Sequence, residues 1–229
     1  MISVKNIQVC YGQSVVIPDM SFTAPKGEIL GIVGRNGMGK STLFRALIGM
    51  IPTRSGKITL EDKEITHQPS YKRVAGGIAY VPQGRMIFPY LNVYENLISG
   101  VAGRVSQSAV EEIYALFPVL HEMRKRKGGN LSGGQQQQLA IGRALMTNPS
   151  VLLLDEPTEG IQPSIIKDIS RSLREIRDLR NLTIVVSEQV LSFVLDTCDN
   201  IMVIDKGKLI REDRRADVDA EQIKAMLAV

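Results

Sequence analysis

The stretch "ILGIVGRNGMGKSTLFRALIGM" limits what this chain can fold into more than any other. A short apolar run, Ile29 to Val33, leads into Gly34, Gly39, Lys40 and Ser41 in the spacing G-x-x-x-x-G-K-S. Leu43, Leu47 and Ile48 then follow at helical intervals. Strand, glycine-rich loop and helix in that order form a phosphate cradle. Glycines let backbone N–H groups converge on phosphate oxygens, and the helix start adds the positive end of its dipole. Gly34, Arg35, Asn36, Gly37, Met38, Gly39, Lys40, Ser41 and Thr42 are therefore expected to wrap the phosphates of a nucleotide. Lys40 places a charge between the outer phosphates and Ser41 offers a hydroxyl to Mg²⁺.

Composition fixes the setting of that loop. At 229 residues, 44% of them hydrophobic, the chain can bury a substantial core, which excludes global disorder. Its longest apolar runs fall far short of the ~20 residues needed to cross a bilayer. The opening "MISVKNIQVCYG" reads as a strand and not as a signal peptide. Cys10 and Cys198 belong to no Cys-x-x-Cys pattern, and with His67 and His121 the only histidines a zinc site is not expected. The net charge of +4 suits an anionic ligand or a membrane-adjacent surface. The run Arg124 to Lys127 lacks nearby aromatic residues for base stacking, so no nucleic-acid partner is expected.

Short apolar runs recur along the chain: "EILGIVG", "GGIAYVP", "VLLLDEP", "LTIVVSE" and "NIMVIDKG". Helix-length segments between several of them predict parallel strands with crossover helices. "ISVKNIQVCYG" and "GKITLEDKEI" read instead as antiparallel, hairpin-forming strands. Strand signals vanish from Pro89 to Asn148, where Val110, Ile113, Leu116, Phe117 and Leu120 are spaced helically. The middle third is thus a helical insertion, and the tail "REDRRADVDAEQIKAMLAV" reads as a short terminal helix. Asp155 and Glu156 follow directly on the apolar run "VLLL". At the end of a strand both reach a loop-lined site, where Asp155 would hold the Mg²⁺ shell and Glu156 polarise an attacking water.

Residues 130–145, "NLSGGQQQQLAIGRAL", decide between phosphate-loop families. Ser132 and two glycines at a helix start make an anion-binding tip without any lysine. "LSGGQ", with the phosphate loop and the acidic pair, resembles the nucleotide-binding subunit of ABC transporters over essentially the whole chain. The resemblance implies an α/β phosphate-loop ATPase with an N-terminal antiparallel β subdomain and a helical insertion. The core would be 1–83 and 150–229, and the helical signature subdomain 84–149. It implies ATP and Mg²⁺ as ligands. It also implies head-to-tail pairing with a second ABC ATPase subunit, a homologous chain or another copy, in which Ser132, Gly133, Gly134 and Gln135 cap the γ-phosphate held by the partner's loop. Two transmembrane permease subunits and an extracytoplasmic solute-binding protein complete the implied assembly, with this chain peripheral on the cytoplasmic face of the membrane.

The same resemblance assigns Tyr11 to stacking on adenine and Gln83 to the Mg²⁺ and the attacking water. A helical stretch beginning with Arg85, Phe88 and Pro89 would receive the permease's coupling helix. Two positions depart from the family pattern. Gln162 stands where the loop after Glu156 usually ends in aspartate, and Glu188 and Gln189 stand at the switch position, usually a histidine. Gln189 can hydrogen-bond but cannot titrate near neutral pH, so as a catalytic contributor it offers a neutral contact and leaves the base role to Glu156. Glutamine there is similar to the smaller ATPase of importers for branched-chain amino acids, urea and short amides, with most similarity to the urea type. The alternative is a soluble non-transport relative, such as an iron–sulfur assembly ATPase. DNA-repair relatives would need a long coiled coil between Lys40 and Asp155, and a small-molecule kinase would leave "LSGGQ" without a role.

Overall fold

The computed structural model describes residues 1–228, which form two sheets with a helical layer beside them. β1 (Ile2–Tyr11) and β2 (Ser14–Ala24) make a hairpin, turning at Gly12, whose φ of +58° suits a residue without a Cβ. β3 (Ile29–Val33) then runs into the phosphate loop and α1 (Lys40–Leu47). β4 (Thr53–Leu60) pairs antiparallel with the other edge of β1 and, through a tight turn, with β5 (Lys63–Glu64). The first sheet is thus β2-β1-β4-β5, antiparallel throughout, as expected for the segments "ISVKNIQVCYG" and "GKITLEDKEI".

α2 (Ser70–Ala75) leads into β6 (Ile78–Val81), which opens the second sheet. The helical insertion follows: α3 (Val93–Ile98), α4 (Gln107–Leu116), α5 (Pro118–Glu122) and α6 (Gly133–Leu145). The chain returns as β7 (Val151–Asp155), α7 (Pro163–Arg180), β8 (Thr183–Glu188), α8 (Leu191–Thr197) and β9 (Asn200–Asp205). β10 (Lys208–Arg214) and α9 (Ala220–Ala228) close it. The second sheet has the order β10-β9-β3-β8-β7-β6, parallel except for the β9–β10 hairpin.

Every residue of β3, β7 and β8 is buried, which is why these strands read as unbroken apolar runs. Alternation still sorts their side chains. Ile29, Val33, Leu152, Leu154, Ile184 and Val186 face a core shared with α6 and α7. Leu30, Ile32, Val151, Leu153 and Val185 face a second core shared with α1 and the antiparallel sheet. α1 is thereby wedged between the two sheets, with Leu43, Phe44 and Leu47 fully buried. Each such side chain contributes roughly 1.5–3 kcal/mol by leaving water.

In the insertion, Val110, Ile113, Leu116, Phe117 and Leu120 are all buried, as their spacing predicts. The helix breaks at Phe117, which precedes a proline and adopts φ −132°, ψ 76°. α6 starts with a reciprocal cap: Ser132 Oγ accepts from Gln135 N at 3.4 Å and Gln135 Oε1 accepts from Ser132 N at 2.9 Å.

Two expectations need correction. The stretch beginning with Arg85, Phe88 and Pro89 is not helical: Arg85 and Met86 have φ +67° and +45°, and the first helix after β6 starts only at Val93. Pro89 and the Asn92 cap, whose side chain accepts from Glu95 N at 2.8 Å, delay it. The tail is likewise not helical from its start, because Arg211 to Arg214 belong to β10, paired with β9. Only from Ala220 does a helix form, with Ile223 anchored in the larger core; Val229 lies outside the described residues.

Candidate active site

The phosphate loop leaves the centre of the second sheet, where β3 lies between β8 and β9. Its three glycines answer different demands. Gly37 and Gly39 have φ +81° and +98°, a region L side chains rarely enter, while a Cβ on Gly34 would lie 2.8 Å from the Ile204 carbonyl oxygen. Arg35, Asn36 and Gly37 are exposed at the loop tip. Met38 turns the other way: its carbonyl accepts from Gly207 N at 3.0 Å and its sulfur from Lys206 N at 3.2 Å, pinning the loop to the β9–β10 turn.

Lys40 is only 4% exposed, yet its ammonium is fully engaged. Nζ donates to the carbonyls of Gly34 at 2.7 Å and Arg35 at 3.2 Å, and lies 3.0 Å from Glu156 Oε1. Glu156 reaches it because its backbone, just past β7, takes the left-handed φ of +48°, with its N–H donating to the Ser187 carbonyl at 3.0 Å. The Glu156 carboxylate also accepts from Gln189 Nε2 at 3.0 Å and Gln83 Nε2 at 3.2 Å, and Gln189 Nε2 donates to Asn36 Oδ1 at 2.7 Å. Lys40, Gln83, Glu156 and Gln189, drawn from four distant parts of the sequence, therefore meet around one carboxylate. Thr42, Ser41, Gly37, Gly39 and Val16 join Lys40, Gln83 and Glu156 in lining a cleft of about 230 Å³ there.

Asp155, the last residue of β7, is buried beside this cleft. Its Oδ1 accepts from Ser187 Oγ at 2.5 Å and from Ser41 Oγ at 3.3 Å, and its Oδ2 from the Tyr80 hydroxyl at 3.3 Å. Burial, reinforced by Asp155, pushes the Tyr80 phenol well above its usual pKa, so it stays a donor. A serine hydroxyl and a carboxylate meeting at one point are hard oxygen donors of the kind Mg²⁺ takes. Ser187 and Tyr80 were not foreseen as part of this set. The signal that would have found Ser187 is strand register, since it sits opposite Asp155 in the β7–β8 pair.

The other expected positions lie elsewhere. No residue of 131–135 lines the cleft. Ser132 is exposed at the tip of α6 and Gly133 half-buried next to it, whereas Gly134 is buried, and a Cβ there would lie 2.6 Å from Ile165 of α7. Gly134 thus serves helix packing. A Cβ on Gly133 would lie 3.2 Å from the Arg85 guanidinium, which also donates to the Glu159 carbonyl at 2.8 Å. Arg85 in this way joins the loop after Gln83, the tip of α6 and the loop after Glu156. Tyr11, 46% exposed, ends β1, and its influence raises the pKa of the Arg45 guanidinium of α1.

Residues 17–159 match the family model described as ABC transporter. The chain belongs to the ABC transporter ATP-binding family. Among curated members, it is 37% identical over 219 residues to the high-affinity branched-chain amino acid transport ATP-binding protein BraG of Pseudomonas aeruginosa, covering 94% of each chain. It is 34% identical over 215 residues to the lipopolysaccharide export system ATP-binding protein LptB of Escherichia coli, covering 91% of this chain and 88% of that one. Among solved structures, a nucleotide-free ATP-binding cassette from an ABC transporter superposes with a TM-score of 0.85 at 29% identity, over 100% of this chain and 95% of the other. The ABC fold expected from the sequence is therefore the fold found, and the chain is an ATPase that works with ATP and Mg²⁺. No described helix of this ABC ATPase is long and apolar enough to cross a membrane.

Proposed function

We propose that this ABC ATPase drives a membrane importer from the cytoplasmic face, taking up urea, a short amide or a branched-chain amino acid. The solute is delivered by an extracytoplasmic binding protein to two permease subunits. Beneath them the chain pairs head to tail with a second ABC ATPase subunit, with residues 1–83 and 150–229 acting as the nucleotide-binding core and 84–149 as the signature subdomain.

The observation that carries this reading is the separation of two half-sites. Lys40, Ser41, Gln83 and Glu156 line one cleft, while the anion-binding tip of α6, Ser132 and Gly133, stands outside it. An exposed helix tip standing apart from the chain's own phosphate cleft suits the phosphate held by a second protomer. For the permease, a groove of about 580 Å³ runs between the core and the insertion, with Met50, Tyr71, Val74, Met86 and Phe88 exposed along it and Arg143 5.3 Å from the Phe88 ring. Exposed apolar residues grouped this way suit a docked amphipathic helix. The 37% identity to the branched-chain amino acid protein and the glutamine at position 189 support the importer class.

In catalysis the Lys40–Glu156 pair has to open. Incoming phosphates attract Lys40, and Glu156, released from its ion pair, turns its carboxylate to the attacking water while Gln83 and Gln189 hold its orientation. Tyr11 carries the adenine, and Ser132 and Gly133 of the partner cap the terminal phosphate. Mg²⁺, held by Ser41, Asp155 and Gln83, would neutralise charge on the phosphate oxygens. Binding needs Lys40 and the loop; hydrolysis needs Glu156 freed from Lys40.

Co-expression with candidate permeases tests the reading. ATP turnover of the reconstituted complex is expected to rise when solute-loaded binding protein is added. Turnover indifferent to permease and binding protein alike would contradict it. The similarity to a lipopolysaccharide export ATPase favours an exporter as the second reading; outward solute movement in proteoliposomes would select that one.

A further inference from the structure

Glu188 closes β8 next to the catalytic cluster and has no part in the mechanism above. It is 2% exposed, yet every face of its carboxylate is occupied. Oε1 accepts from Thr158 N at 2.9 Å and from Thr158 Oγ1 at 2.6 Å. Oε2 accepts from Gln189 N at 2.9 Å and from Val190 N at 3.3 Å. Four donors from two distant chain segments converge on one buried charge, the arrangement that makes such burial tolerable.

Both segments carry catalytic groups. Thr158 lies two residues beyond Glu156, in the turn that begins with the left-handed φ at that glutamate. Gln189 sends its own side chain to Glu156. The loop from Thr158 continues to Glu159, whose carbonyl receives Arg85 beside the tip of α6. Glu188 thus stands where the Glu156 turn and the switch segment are joined, and nothing else among the described residues bonds Thr158 to residues 189–190.

We propose that Glu188 is a positioning residue for ATP hydrolysis, a buried brace that ties Thr158 to the backbone of Gln189 so that Glu156 and Gln189 reach the cleft as one unit. The inference rests on the reading of Glu156 as the group that activates water. An isosteric glutamine cannot replace the brace. Whichever way its amide turns, the NH₂ group faces at least one backbone N–H that has lost its acceptor.

The test is a set of variants of the full chain in its assembled complex, with kcat, KM and nucleotide affinity measured separately on the folded, ATP-binding fraction. Glu188→Gln is expected to lower kcat by about tenfold or more while the Kd for ATP stays within about twofold. Thr158→Ser keeps the hydroxyl donor and is expected to retain wild-type kcat. Thr158→Val, which removes only that donor, is expected to lower kcat by about threefold to tenfold, with no further loss when combined with Glu188→Gln. Wild-type kcat in Glu188→Gln, or identical kcat in Thr158→Ser and Thr158→Val, overturns the brace; if Glu188→Gln fails to fold, the Thr158 pair decides alone. Glu156→Gln in the same series separates the two levels. A wild-type rate there removes the water-activating assignment and the brace with it, whereas a slow Glu156→Gln beside a normal Glu188→Gln removes the brace alone.

Discussion

Lys40 and Glu156 meet at 3.0 Å with little solvent around either, so each neutralises the other, and in the proposed mechanism phosphate displaces Glu156 from this pair. A buried pair of this kind is strongly coupled, and removing one partner changes what the other can do. Glu156→Gln takes away the carboxylate that competes with phosphate for Lys40. Its turnover is expected to fall by about 10²–10³-fold, while calorimetry should find ATP binding equal to or tighter than wild type. Weaker binding would mean that the pair is not a competitor of the nucleotide. At this scale the sequence exposed the groups that belong to contiguous motifs, Gly34 to Thr42 and Asp155–Glu156. It hid Ser187 and Tyr80, because their contacts with Asp155 depend on the register of β8 and the neighbourhood of β6, which no local spacing encodes. Gly134 was legible as a glycine but not in its reason, since Ile165 comes from another helix.

Among elements, α1 shows how a helix that ends between two sheets is completed. Its terminal carbonyls on Ala46 and Leu47 receive the Arg73 guanidinium at 2.8 Å each, and Arg73 also donates to Thr66 O at 2.8 Å and Gln68 O at 2.9 Å. Arg73 is buried, which lowers its pKa, and it meets the negative end of the α1 dipole. Arg73→Met should lower the unfolding free energy by about 2–4 kcal/mol, seen in calorimetry as a fall in Tm of roughly 5–15 °C. An unchanged Tm would contradict the capping role. Strand and helix identities were readable from apolar periodicity, because the central parallel strands are buried on both faces and α4 on one, whereas α6 has no exposed residue and shows no such stripe. Pairing between distant elements was not readable, and neither was the irregular backbone at Arg85 and Met86. Arg143 stabilises that backbone from α6, donating to the Met86 carbonyl at 2.7 Å. The glutamine run is likewise a packed element, with Gln137 and Gln138 buried in α6.

At the scale of the whole molecule, the parallel sheet delivers the phosphate loop, Asp155, Glu156 and Gln189 to one edge, while the insertion carries the tip of α6 elsewhere. In the proposed dimer a working site takes Lys40 from one protomer and the Ser132 tip from the other. Complementation between two inactive variants separates these contributions. Lys40→Ala subunits lack a working phosphate loop and Ser132→Arg subunits lack a working tip, so each alone is expected to be inactive. In an equimolar mixture, half of randomly paired two-fold dimers are mixed and each keeps one whole site, which predicts recovery to roughly a quarter of wild-type turnover. An inactive mixture whose mixed dimers are demonstrated by light scattering and differential tagging, or a Ser132→Arg subunit fully active by itself, would contradict it.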